Sequence, residues 1–125
     1  MIGDEWVEKP KLTFTEAEAE YLAENFIGRV ATSSSSGQPH VVPVGYSFDG
    51  TTITFGGRNL SNSLKFRNLM ANDKVAFVVD DVVSASPWRV RGVEVRGKAE
   101  PAVAEDGLTV IRIIPLNIRS WGLED

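Results

Sequence analysis

The 125-residue chain has no cysteine, a single histidine, and no apolar run approaching the ~18–20 residues that a spanning helix needs. Without cysteine there is no disulfide framework, no thiolate zinc site and no thiol nucleophile. His40 has no Ser, Asp or second His at a spacing that suits nucleophilic catalysis or metal binding, so no metal site is expected. The opening Met1-Ile2-Gly3-Asp4-Glu5 is acidic, unlike the basic and then apolar start of a secretory leader. A cytoplasmic protein with no membrane partner is expected.

The charge is unevenly spread along the chain. The net charge is −4, and seven of the 17 acids fall within residues 1–25. Residues 26–122 hold eleven bases against eight acids, a mildly basic body. That balance suits a small anionic ligand and falls far short of the basic stripe needed for duplex DNA, so no nucleic-acid partner is expected. With 42% hydrophobic residues, the length fits one domain over 1–125 with its own core, residues 1–12 forming a polar, poorly fixed arm.

One helix is signalled early. Thr15 and Glu18 have the spacing of a capping box, Ala19, Leu22, Ala23, Phe26 and Ile27 recur at helical intervals, and Gly28 supplies a stop. Strands follow over 30–33, 40–48 and 51–57, the last two joined at Asp49-Gly50. Residues 58–72 hold a short helix with Leu60, Leu64 and Met70 as candidate buried positions. Further strands are predicted over 74–80, 88–100 and 108–114, with a loop at 82–87 and a tail from Pro115. Six strands and two short helices predict a mainly β (α+β) chain closed into a barrel.

A two-residue turn at Asp49-Gly50 would pair Phe48 with Thr51, Tyr46 with Ile53, Val44 with Phe55 and Val42 with Gly57, giving one bulky apolar face as core. The opposite face, with Val41, Pro43, Gly45, Ser47, Thr52, Thr54 and Gly56, is small enough for a flat molecule to approach the backbone. A solvated hairpin would show the same residues.

The following segment, Gly56-Gly57-Arg58 to Asn68, combines two glycines, hydroxyls at a helix start and the cations Arg58, Lys65 and Arg67. Free N–H groups at a helix start suit a phosphate, and Lys65 and Asn68 share a helix face. The spacing is not that of a P-loop, and a capped, solvated helix would read the same way. Trp88 and Trp121 suit core, interface or stacking platform equally. Asp80 and Asp81 point to opposite faces, and the charges alternating with Val93, Val95, Gly97 and Ala99 predict a half-exposed strand. No acid–base constellation emerges, so an enzyme of this sequence would rely on a cofactor for its chemistry.

The order of Arg29-Val30-Ala31-Thr32, Gly37-Gln38-Pro39-His40-Val41-Val42-Pro43-Val44, Lys65-Phe66-Arg67-Asn68-Leu69 and Val78-Val79-Asp80-Asp81 resembles the pyridoxamine 5′-phosphate oxidase-like split β-barrel superfamily. Pro87-Trp88-Arg89, Gly92 to Gly97 and Ser120-Trp121-Gly122 are similar to its F-420-dependent branch. The resemblance implies a homodimeric six-stranded split β-barrel and an oxidoreductase that moves hydride between reduced F-420 and a small organic acceptor. The alternatives are an FMN-dependent oxidase or reductase, and a non-enzymatic carrier of flavin or haem. It implies that Ser63 and Lys65 bind the cofactor phosphate, Leu64 standing where relatives have Arg, with Arg58 or Arg67 compensating. Gly56-Gly57 stands where many relatives place Thr. Val41, Pro43, Val44, Gly45, Thr54, Gly56, Gly57, Arg58, Asn68, Trp88 and Trp121 complete the expected cofactor site. An F-420 tail would need cations at its exit, Arg58, Arg67 and Arg89 or Arg91 being candidates.

Overall fold

The structure, a computed structural model, describes residues 10–123. Most of the expected polar arm lies outside the described residues. Its end is tied down: Lys11 N–H donates to Asn117 Oδ1 at 3.2 Å, and the Lys11 carbonyl accepts from the Ile118 N–H at 2.9 Å.

Helix α1 (Glu16–Glu24) starts with the capping box read from the sequence. Thr15 Oγ1 accepts from the Glu18 N–H, and Glu18 Oε1 accepts from the Thr15 N–H. It ends four residues earlier than Gly28. Asn25 is extended and its Nδ2 donates to the Tyr21 carbonyl, capping the last turn. Phe26 is therefore not a core residue: it is 78% exposed, and Ile27 opens the first strand.

The strands are β1 (Ile27–Ser33), β2 (Pro39–Phe48), β3 (Ile53–Phe55), β4 (Lys74–Ala85), β5 (Trp88–Val103) and β6 (Thr109–Trp121). They close into an antiparallel barrel in the order β1-β2-β3-β6-β5-β4. Helix α2 (Leu64–Ala71) follows a 3₁₀ turn over Leu60–Asn62. No helix among the described residues is long and apolar enough to cross a membrane.

The β2–β3 register differs from the expected one by two residues: Tyr46 pairs Phe55 and Phe48 pairs Ile53. The loop has four residues because Asp49 organises it, its carboxylate accepting from the N–H groups of Thr51 and Thr52 and from both hydroxyls. Those hydrogen bonds, the Thr52 N–H first, hold the Asp49 carboxyl well below the usual carboxylate range. An even shift leaves the strand faces unchanged, but Thr51 and Thr52 fall in the loop, where Thr51 is exposed rather than core and Thr52 is buried rather than outward. Val44, Ile53 and Phe55 are buried, whereas Val41, Pro43, Gly45 and Ser47 face outward.

Strands β4 and β5 run to the Ser86-Pro87 turn, so residues 82–85, expected as loop, extend the ladder. Strand β6 absorbs the expected tail. Its register against β5 shifts where Gly97 faces Pro115, and a Cβ at Gly97 would lie 2.2 Å from the Ile114 carbonyl oxygen. This bulge bends the long hairpin at a point where only glycine fits. In α2 the buried positions are Asn68 and Leu69. Leu64 and Met70 are nearly half exposed, contrary to expectation, because the helix begins only at Leu64 and presents residues 68 and 69 to the barrel. Leu60 is buried as expected.

Candidate functional site

The outer face of the barrel carries a floor of small side chains. Pairing sets Pro43 beside Arg29, Val41 beside Ala31, Gly45 beside Ile27, and Ser47 beside Thr54. Ala31 in turn faces Ala76, and Arg29 faces Val78. A hollow of about 170 Å³ lies over Arg29, Ala31, Val41, Ala76, Val78 and Glu94. The floor thus continues across β1 onto β4, which sequence reasoning missed, since no local signal links Ala31 with Ala76. Arg29 at its rim pairs with Asp80 at 3.2 Å, both half exposed. A Cβ at Gly45 would meet only the Phe26 carbonyl, at 3.8 Å, so glycine keeps the floor flat without being sterically required.

Beyond β3 the chain forms the wall of a cleft of about 590 Å³, lined by Gly57, Arg58, Asn59, Ser61 and Asn62 against Gly107, Leu108 and Thr109. Gly57 has φ +137 and open space around it, and Asn59 is left-handed at φ 66. Gly56 is packed rather than open, a Cβ there lying 3.0 Å from Val110 Cγ1. Arg58, Lys65 and Arg67 form no ion pair among the described residues, which leaves three cations free for an anion.

Several expected ligands are committed elsewhere. Ser63 Oγ donates to the Leu60 carbonyl at 2.6 Å and accepts from the Phe66 N–H, capping α2, so its proton is in use. Asn68 is buried and its Nδ2 donates to Thr32 Oγ1 at 3.0 Å, so it turns into the barrel and cannot share a ligand with the half-buried Lys65. Val44 also points inward, leaving only its backbone near the floor.

Trp88 and Trp121 lie at the other end of the barrel. Trp88 stands 68% exposed at the β4–β5 tip; Trp121 lies over Gly92, where a Cβ would be 2.5 Å from its ring. Trp121 and Thr109 bracket β6, twelve residue steps apart, which is roughly 35–40 Å of strand. Within one chain, Arg58 and Lys65 do not meet Trp88 and Trp121. Arg89 and Arg91 also lie at the tryptophan end, apart from Arg58 and Arg67.

At that end, α1 and the β4–β5 hairpin enclose a second cleft of about 290 Å³. Tyr21 Oη donates to Asp81 Oδ1 at 2.6 Å, and Arg91 donates to the same carboxylate through Nε at 2.9 Å and Nη2 at 3.4 Å. Hydrogen bonds from Arg91 and then Tyr21 hold the Asp81 carboxyl below its ordinary range. Burial, reinforced by Asp81, pushes the Tyr21 hydroxyl well above its usual value. Tyr21 and Asp81 are 60 residues apart, a separation that hides this cluster from sequence reading.

Comparison with known proteins gives a consistent picture. A family model described as pyridoxamine 5′-phosphate oxidase matches residues 14–113. A 5a,11a-dehydrotetracycline/5a,11a-dehydrooxytetracycline reductase of Streptomyces rimosus is 41% identical, over 90% of this chain and 86% of its own length. Among solved structures, a conserved hypothetical protein of Mycobacterium tuberculosis superposes with a TM-score of 0.73 at 23% identity, covering 91% of this chain and 89% of its own. An F-420 reductase superposes with a TM-score of 0.69 at 23% identity, covering 85% and 98% respectively.

Proposed function

Because this chain belongs to the pyridoxamine 5′-phosphate oxidase family, we propose that it is an oxidoreductase that transfers hydride from reduced F-420 to a conjugated, polycyclic organic acceptor, acting as a homodimer of one-domain chains. The observation that carries this reading is the 41% identity, over nine-tenths of the chain, to a reductase of dehydrotetracyclines. FMN is the alternative cofactor.

The side chains fit such a cofactor in part. The flat outward strip of Val41, Pro43, Gly45 and Thr54 suits a planar ring, and Gly57 leaves the backbone open beside it. With Ser63 committed to the helix cap, phosphate recognition falls to Lys65 and Arg58. F-420 is favoured over FMN because the cleft beside Arg58 is open rather than a closed pocket for a terminal phosphate, and because Leu64 replaces a cation. A solved structure of the same fold is an F-420 reductase. When bound, the deazaflavin supplies the hydride. The chain's part is to bind and orient it, with the floor setting the ring plane and Lys65 and Arg58 anchoring the far end.

Titration of the purified protein against F-420, FMN and haem, followed by turnover with 5a,11a-dehydrotetracycline, tests this reading. F-420 should bind most tightly, and Lys65→Ala should weaken it about 10- to 100-fold, the worth of one charge-assisted contact of roughly 1.5–3 kcal/mol. Tighter FMN binding would move the assignment to the flavin, and binding of haem alone would make the protein a carrier.

A further inference from the structure

The hollow over β1 and β4 owes its depth to two alanines. Ala31 faces Ala76 across the β1–β4 pair and Val41 across the β1–β2 pair, so small side chains line its bottom. It is continuous with the floor, because Val41 belongs to both. One row of paired residues crosses it: Pro43 on β2, Arg29 on β1, Val78 on β4 and Glu94 on β5. Arg29 and Glu94 thus stand on either side of Val78, two strand spacings or roughly 10 Å apart between their backbones.

Glu94 is the one carboxylate lining the hollow among the described residues, and it is held in place. Arg96, two residues on and on the same face of β5, donates through Nη2 to both Glu94 oxygens, at 3.1 and 3.2 Å. The Glu94 side chain is only 27% exposed. It still has lone pairs for another donor, since a carboxylate offers about four acceptor sites. Arg29 gives Nη1 to Asp80 and has further N–H groups to donate. The hollow therefore offers an apolar bottom with one fixed acceptor at one side and a donor at the other.

A tricyclic ring of the flavin type has two unlike ends. One is an imide, an N–H donor between two carbonyl acceptors. The other is benzenoid, and in the deazaflavin it carries a phenolic oxygen. A carboxylate attracts the imide N–H and repels a phenolate, while an arginine donates to a flanking carbonyl. Strand order puts β2 and β3 between this hollow and the Arg58 cleft. We propose that the imide end of the ring lies in the hollow, its N–H donated to Glu94 and a carbonyl accepting from Arg29, while the ring's side chain leaves over β2 toward Arg58 and Lys65. Glu94 then sets which way round the ring lies on the floor. The assignment rests on the reductase reading for the identity of the ring.

The test is fluorescence titration of the full chain with F-420 and FMN and with their imide-N-methyl derivatives, which keep every other group of the ring. The parent should bind each methylated form about 10- to 100-fold more weakly, the loss of one hydrogen bond to a charged acceptor. Glu94→Ala should bind methylated and unmethylated forms alike. Glu94→Gln, which keeps a carbonyl acceptor, should retain a smaller preference. Glu100→Ala, on the same face of β5 but outside the hollow, should discriminate as the parent does and serves as the control. A parent indifferent to the methyl group, a Glu94→Ala variant that still discriminates, or an undiminished preference in Glu94→Gln would overturn the proposal and leave the reductase reading in place. A parent that binds neither F-420 nor FMN would overturn both.

Discussion

At Glu18, a carboxylate that the sequence presents as half of a capping box takes on two further partners. Lys11 Nζ lies 2.6 Å from both oxygens, and Ser120 Oγ donates to Oε2. The residue is 1% exposed. Burial alone would raise its pKa, but the hydrogen bonds from Lys11, Ser120 and the Thr15 N–H outweigh it, and the net shift is downward. A depressed folded-state pKa means that the stabilisation is present above the ordinary value of 4.5 and is lost as pH falls through the lower folded-state value. Glu18→Gln should therefore cost about 1.5–3 kcal/mol at pH 7, the worth of hydrogen bonds to a charged group. The gap between variant and parent should narrow in urea titrations at progressively lower pH. An unchanged gap at pH 3 would show that the charge contributes nothing. The capping spacing was legible in the sequence, but the Lys11 and Ser120 contacts were not, because Ser120 is 102 residues away. Ser63 and Asn68 teach the same lesson in reverse. Their types and positions suggested a phosphate site, but a local cap and the barrel interior had already claimed their polar atoms.

Among the elements, strand parity was the most legible feature. Alternation of side chains set the inner and outer faces of β2 and β5 correctly even where the hairpin register was off by two, since an even slip preserves every face. Loop length was not legible. Asp49-Gly50 suits a two-residue turn, and the four-residue loop wins through the side-chain bonds of Asp49 to Thr51 and Thr52. Helix and strand ends failed where apolar residues had two possible roles: Phe26 and Ile27 fit a helical stripe but belong to an exposed strand entry. The bend in the β5–β6 hairpin depends on one residue the pattern could not single out. At Gly97 an added methyl would strike the Ile114 carbonyl, backbone that cannot rotate away. Gly97→Ala should destabilise the barrel by about 1–3 kcal/mol, typical of overpacking, read as a lowered urea midpoint. Gly45→Ala, with nothing nearer than 3.8 Å, should leave that midpoint close to the parent value and serves as the control.

For the whole molecule, the distribution of the expected site residues constrains assembly. Arg58 and Lys65 stand at the α2 end, Trp88 and Trp121 at the α1 end, with most of β6 between them. If one cofactor touches both sets, they must come from different chains, and the proposed homodimer then has two equivalent sites at its two-fold interface. The outer face offers a surface for it: Phe26 and Ile27 are 78% and 59% exposed beside the floor. Mixing two defective subunits distinguishes this arrangement from a site within one chain. Lys65→Ala and Trp121→Ala should each abolish most F-420 binding alone. When the two are co-refolded in equal amounts, half the dimers are mixed, and each mixed dimer has one site with both residues intact. About a quarter of the parent binding capacity should therefore return, from the statistics of a closed two-fold dimer. A site confined to one chain would recover nothing, since every chain carries one defect. A stable monomer in sedimentation at micromolar concentration would give the same null result and would remove the dimer itself.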